Sequence, residues 1–161
     1  MQINLEEYIK NATDEVIEVC EQTIAAVAGD YFQKRFVEKE FDGNPWPLAQ
    51  NPKRRGMELI DTGMLRDSLL VEREPGKVTI SFGKEPVVNY AQVHNEGYDG
   101  EVNVKAFTRV VKGKQQEVQA HTRHMRIPQR QFLGESKALE ELLHTELEAI
   151  AEEVLNRKYH E

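Results

Sequence analysis

The sequence predicts an α+β fold, an antiparallel sheet of two hairpins packed against long N- and C-terminal helices. Three observations carry that expectation. Apolar residues recur at helical spacing near both ends: Val16, Cys20, Ile24, Val27, Tyr31 and Phe36, then Leu139, Leu142, Leu143, Leu147, Ile150, Val154 and Leu155. Between these runs lie two pairs of segments rich in strand formers, each pair interrupted by a glycine turn. No internal repeat breaks the order helix, hairpin, short helix, hairpin, helix. At 161 residues, 39% hydrophobic and 30% charged, residues 1–161 are expected to form a single domain able to bury a core without staples.

The first helix is expected over residues 13–40, with Thr13 or Asp14 satisfying a free amide at its start. It must end before "FDGNPWPLAQNPKRRG", where Gly43, Pro45, Pro47 and Pro52 forbid continuation. Trp46 in this stretch is expected to pack on the core as an anchor. In "ELIDTGMLRDS", Asp61 or Thr62 is expected to cap a short helical turn whose Leu65 and Leu69 point inward. "LLVERE" and "KVTISF" then flank a Pro75-Gly76 turn and form the first hairpin. "VVNYAQVHNEG" is a short helix stopped by Gly97. "EVNVKAFTRVV" and "QEVQAHTRHMR" form a second, longer hairpin at about 101–126, turning at Lys112-Gly113-Lys114. One face of it (Val102, Val104, Ala106, Thr108 and Val110) is thinly apolar, so the arm is expected to project until a partner covers it. Pro128 ends that strand, "IPQRQFLGES" is a loop, and Ser136 caps the last helix, which runs to about Arg157.

Enzyme motifs are poorly supported. Asp61-Thr62-Gly63 spells the catalytic tripeptide of an aspartic protease, in which two such loops place carboxyls about 3 Å apart. Here the tripeptide follows a long helix and precedes a helical turn, and Phe132-Leu133-Gly134 leads into another helix rather than a barrel. His94-x-Glu96 resembles the start of a zinc deaminase signature, but the Pro-Cys-x-x-Cys that completes such a site is missing and Cys20 is the only cysteine. Cys20 itself is expected to be a small buried helix residue rather than a reactive thiol. His121 and His124 lie three apart on a strand and so face opposite sides. Neither a phosphate loop nor a nucleophile elbow occurs. The expectation is no enzyme, no metal and no cofactor.

The net charge of −7 is unevenly spread. Residues 101–126 carry Lys105, Arg109, Lys112, Lys114, Arg123 and Arg126 against Glu101 and Glu117, whereas the chain from Glu135 onward is acidic. These six cations are the candidate interface. Overall acidity argues against tight wrapping of nucleic acid. No apolar run approaches the roughly 20 residues of a bilayer span, and "MQINLEEYIK" lacks the basic start and apolar core of a signal peptide. A cytoplasmic protein with no membrane partner is expected.

Four segments in order carry a resemblance. They are Trp46-Pro47-Leu48; Leu59 to Leu69 with Thr62, Gly63, Leu65 and Ser68; Tyr90-Ala91-Gln92-Val93-His94-Asn95-Glu96-Gly97; and Ile127-Pro128-Gln129-Arg130-Gln131-Phe132-Leu133-Gly134-Glu135-Ser136. Together they resemble the phage virion morphogenesis family, tail-completion proteins of Mu-like and other contractile-tailed phages and prophages. Glu96 stands where an aromatic residue is usual, and Gln131 where proline is usual. Gly63 and Gly97 suit places needing backbone freedom, and Tyr90 and Phe132 are expected to anchor loops over the core. The resemblance implies a structural part of the virion, acting in the host cytoplasm late in assembly. It would complete the tail or ready it to join the head as a ring-like homo-oligomer, a hexamer on a sixfold tail. Tail tube or neck proteins would be its partners, with transient contact to passing DNA a rival use of the basic arm. A non-viral binding or adaptor module is the alternative function.

Overall fold

The first helix, α1, spans Leu5–Glu38 in a computed structural model that describes residues 5–60, 62–83 and 87–159. It therefore begins well before Thr13 and Asp14, which lie inside it and do not cap it. The preceding Leu-Glu-Glu-Tyr-Ile-Lys-Asn-Ala is mostly good helix former, so nothing there forces a start at residue 13. Cys20 on this helix is half-buried, less enclosed than expected. The chain leaves the helix through Lys39 at φ 58° and turns at once through Asp42 (φ 47°) and Gly43 (φ 76°). Two consecutive positive φ values make the tight turn that joins β1 (Glu40–Phe41) to β2 (Asn44–Pro45).

The first predicted hairpin forms as β3 (Leu69–Glu74) paired with β4 (Lys77–Phe82), in register from Leu69↔Phe82 to Glu74↔Lys77. It lies against α1, and the Glu21 carboxylate accepts the Gly76 N–H at the turn. The short helix α2 follows at Val87–Glu96. The second hairpin is one ribbon in two pieces. Its base pairs β5 (Tyr98–Val104) with β8 (His121–Ile127), and its tip pairs β6 (Phe107–Val111) with β7 (Lys114–Val118) in the same continuous register. The closing helix α3, Lys137–Tyr159, packs along α1.

The α+β class is as predicted, but the hairpins do not merge into one sheet. Among the described residues each strand pair is its own two-stranded sheet, and the first hairpin packs on α1. The reason is visible in the side chains. The β4 strand supplies Ile80 and Phe82 to the core, whereas residues 105–117 of the second hairpin are all exposed.

Two buried clusters hold the body together. One gathers Phe36, Trp46, Leu59, Leu65, Phe82, Ala91 and Phe132; the other gathers Ala28, Tyr31, Phe32, Phe41 and Leu139. Leu69 and Leu133 touch both. In the first, the Phe36 ring lies 5.1 Å from Phe132, 5.7 Å from Phe82 and 5.7 Å from Trp46.

A polar knot fixes the start of α3. Ser136 caps it as predicted, its hydroxyl accepting the Leu139 N–H at 3.1 Å. Asp42 braces that cap from the β1–β2 turn. It accepts from the Tyr31 hydroxyl at 2.9 Å, the Ser136 hydroxyl, and the Lys137 N–H at 2.9 Å. Burial alone would raise the Asp42 carboxyl, but hydrogen bonds from Ser136, Lys137 and Tyr31 outweigh it and hold the group below its ordinary value. A depressed carboxyl stabilises the fold above its unfolded-state value, and that stability is lost as pH falls through the folded-state value. Asp42→Asn is expected to cost about 1–2 kcal/mol at neutral pH and to flatten the decline of stability in acid. Urea unfolding between neutral pH and the acid limb checks both, and an unchanged acid slope would remove Asp42 from this role.

Candidate functional site

All four segments singled out in the sequence meet in the body of the protein. The loop after β8 is the piece on which the others converge. Phe132 is fully buried in the first cluster beside Trp46, Leu65 and Ala91, and Leu133 packs against it. The Trp46 indole N–H donates to the Gln131 carbonyl at 2.7 Å, and Arg130 Nε donates to the Pro47 carbonyl at 3.0 Å. The Trp46 loop is thus tied at two points to a segment more than 80 residues away.

The α2 helix holds the same loop from the other side. The Arg130 N–H donates to the His94 carbonyl at 2.8 Å. Asn95 Oδ1 accepts the Phe132 and Leu133 N–H groups at 2.9 and 3.0 Å, and its amide nitrogen donates to the Leu133 carbonyl at 3.0 Å. One side chain therefore pairs with this backbone as a neighbouring strand would. Gly97 ends α2 at φ 79°, and a Cβ there would lie 3.1 Å from the Gln129 nitrogen. Both the turn and the close approach require glycine. Ile127 pairs with Tyr98 at the end of the ribbon, and Pro128 stops it there.

The Thr-Gly segment builds a turn. Gly63 sits at φ 73°, Thr62 Oγ1 accepts the Met64 N–H at 3.4 Å, and the Asp67 N–H donates to the Gly63 carbonyl at 2.9 Å. A single 3-10 turn, Arg66–Ser68, follows, and the Ser68 hydroxyl donates back to the Leu65 carbonyl at 2.7 Å. Leu65 is buried and Leu69 half-buried, both pointing inward as predicted. Asp61, the candidate cap, lies outside the described residues.

Between this turn and α2 runs a two-lobed cleft. Leu59, Thr62, Met64, Leu65 and Val87 line the larger lobe, of about 390 Å³. Ala49, Met57, Glu58, His94 and Arg130 line the smaller, of about 170 Å³. Arg54, Leu59 and Tyr90 belong to both lobes. Tyr90 was expected to anchor a loop over the core. It is 50% exposed and forms the cleft wall, its ring 4.3 Å from that of His94. Its position on the outward side of α2 explains this, because Ala91 and Asn95 take the inward side.

The cleft has a defined electrostatic character. Glu58 is buried, and its Oε1 accepts the Ala49 and Gly56 N–H groups at 3.1 and 3.0 Å. Its Oε2 makes no hydrogen bond but lies 3.7 Å from Lys39 Nζ. Burial by itself would raise the Glu58 carboxyl; backbone N–H groups and Lys39 overcome this and leave it below its ordinary value, so it stays ionised. Burial, with the Arg130 guanidinium, lowers His94, whose buried Nδ1 is also without a hydrogen bond, so the imidazole is neutral at pH 7. Among the described residues, no group of three or more His, Cys, Asp or Glu side chains is placed to hold a metal.

The second candidate surface is the ribbon. At its base the cations are partly offset, since Asp99 pairs with His124 at 2.8 Å and Arg126 at 3.6 Å. Toward the tip they are not. Lys105, Lys112 and Lys114 form no ion pair among the described residues, and Arg109 reaches only the neutral Gln116, at 3.0 Å. Exposed Phe107, Val110 and Val111 lie among them. The basic character outside ion pairs thus lies toward the exposed tip, residues 105–117.

Sequence reasoning missed three side chains that organise the site: Asn95, Glu58 and Asp42. Asn95 was inside a quoted motif, but nothing in a single sequence says which backbone an amide will pair with. The Asp42-Gly43 dipeptide did carry a hairpin signal. No helix among the described residues is long and apolar enough to cross a membrane. No curated protein and no solved structure matches the chain. The model of the phage virion morphogenesis family matches residues 6–152, through all four motifs, the ribbon and most of both terminal helices, and the chain belongs to that family of virion-assembly proteins.

Proposed function

We propose that this chain completes the phage tail, or fits it to the filled head, as a homo-oligomeric ring whose projecting ribbon docks on a tail tube or neck protein. The observation that carries the reading is the ribbon tip. Residues 105–117 are exposed throughout, with Lys105, Arg109, Lys112 and Lys114 interleaved with Phe107, Val110 and Val111. Mixed apolar and cationic side chains on an unsupported hairpin are the chemistry of a docking surface for an acidic partner. Membership of the virion morphogenesis family supports the setting. A ring of six would match a sixfold tail. At −7 per copy, such a ring would let DNA slide past more readily than it would grip it.

The test is a charge reversal at the tip. Arg109→Glu, Lys112→Glu and Lys114→Glu together touch no core residue and should leave the unfolding midpoint within about 0.5 kcal/mol of wild type. Wild-type protein is expected to co-sediment with tails purified from particles lacking it, and the triple variant is expected to stay in the supernatant. Equal co-sedimentation would remove the ribbon from docking. Salt-sensitive duplex binding near micromolar, lost in the same variant, would favour DNA instead.

A further inference from the structure

We infer that a single face of the ribbon tip makes the docking contact, with Arg109 gripping a carboxylate of a protein partner between apolar contacts from Phe107, Val111 and Val118. This rests on the docking role proposed above and deepens it. The strand register assigns the faces. Residues directly opposite each other share a side of a ribbon, and neighbours along a strand alternate between sides. The pairs Phe107↔Val118, Arg109↔Gln116 and Val111↔Lys114 therefore lie on one face, and Thr108↔Glu117 and Val110↔Gln115 on the other.

The two faces differ in chemistry. The first joins Phe107, Val111 and Val118 to Arg109, Lys114 and Gln116, and it holds no carboxylate. Its Phe107 is 47% exposed and its Val111 43%. The second holds Glu117, the sole carboxylate of residues 105–118. Glu117 thus sits on the far side of the ribbon from Arg109 and Lys114, and neither cation forms an ion pair among the described residues. The ribbon base is built the other way, for Asp99 pairs with both His124 and Arg126. Uncompensated cations among apolar side chains complement a carboxylate set in an apolar surround.

Arg109 is prepared for that contact. Its Nε donates at 3.0 Å to Oε1 of Gln116, the residue directly across the ribbon. Gln116 thereby positions the guanidinium and leaves its terminal nitrogens for a partner. Such a planar fork matches the two oxygens of a carboxylate. Arginine and an aromatic ring near the centre of a patch are also the residue types that dominate binding energy at protein interfaces. A phosphate backbone rewards clustered cations but offers no apolar surface to cover Phe107, Val111 and Val118. A protein surface does both.

Three exposed variants test this on tails purified from particles lacking the protein. The front variant is Phe107→Thr with Val111→Thr; the back variant is Val110→Thr with Glu117→Gln. Threonine keeps the strand preference of the residues it replaces, so the ribbon is retained in both. The front variant is expected to bind tails about 10-fold more weakly or worse, and the back variant within about 2-fold of wild type. Arg109→Lys keeps the charge but loses the fork, and is expected to weaken binding about 10-fold as well. Equal binding by front and back variants overturns the one-sided contact, as does an Arg109→Lys protein that binds like wild type. A front variant that keeps its tail binding but loses duplex DNA overturns the protein partner in favour of nucleic acid. If the charge reversal of Arg109, Lys112 and Lys114 leaves tail binding intact, the docking role fails and this contact with it. If that reversal abolishes binding while front and back variants behave alike, docking stands and only the assignment of the face falls.

Discussion

Replacing Phe36 with alanine is expected to cost about 3–5 kcal/mol, a large share of the roughly 5–15 kcal/mol that holds a domain of this size together. Phe36 is 0% exposed and touches the rings of Trp46, Phe82 and Phe132. Together with Phe36 they come from four parts of the chain: α1, the Trp46 loop, β4 and the loop after β8. Truncation therefore opens a cavity where four elements meet, and rigid neighbours on every side limit collapse into it. The urea midpoint should fall with an unchanged slope, because the folded state loses contacts without gaining exposed area. Phe36→Leu keeps most of the volume and should cost far less, about 1–1.5 kcal/mol. An alanine variant as stable as the leucine variant would mean the four elements do not close on this ring.

Asn95→Ala is expected to be the second most damaging change, at about 2–4 kcal/mol. It strands two backbone N–H groups and one carbonyl of Phe132 and Leu133 together, and each buried unsatisfied group costs about 1–3 kcal/mol before water reaches it. Some relief is expected because the edge of the loop is solvated. Asn95→Asp separates the contributions. It keeps the acceptor for both N–H groups, loses only the donor to the Leu133 carbonyl, and should recover more than half the loss. Hydrogen exchange gives the local readout, with the Phe132 and Leu133 amides unprotected in the alanine variant and protected in the aspartate variant. If both variants behave alike, the amide is not pairing with that backbone.

What the sequence revealed and what it hid divide along physical lines. Periodicity exposed both long helices, because Val27, Tyr31 and Phe36 on one and Leu139 and Leu143 on the other must face the same core. Glycine exposed the stops and turns at Gly63, Gly76, Gly97 and Gly113, all at positive φ in the structure. The start of α1 was hidden because a caplike Thr13-Asp14 pair is also tolerated inside a helix. The half-exposed setting of Tyr90 was not legible, because the motif does not say which neighbour, here Ala91, takes the inward side. Asn95 and Glu58 were invisible for a different reason. Each bonds to backbone, and backbone partners leave no residue type for a reader to match. The cleft combines residues 49–65, the α2 helix and Arg130, so only the folded chain brings it into view.

The four motifs thus meet at one junction, beside the cleft and at the base of the ribbon. The central claim is that the chain works by docking, and the most direct measurement is electron microscopy of particles made when only the Arg109, Lys112 and Lys114 charge-reversed protein is present. If docking through the ribbon is its work, filled heads and tails should appear in normal numbers but separate. Joined, infectious virions at wild-type yield would contradict it.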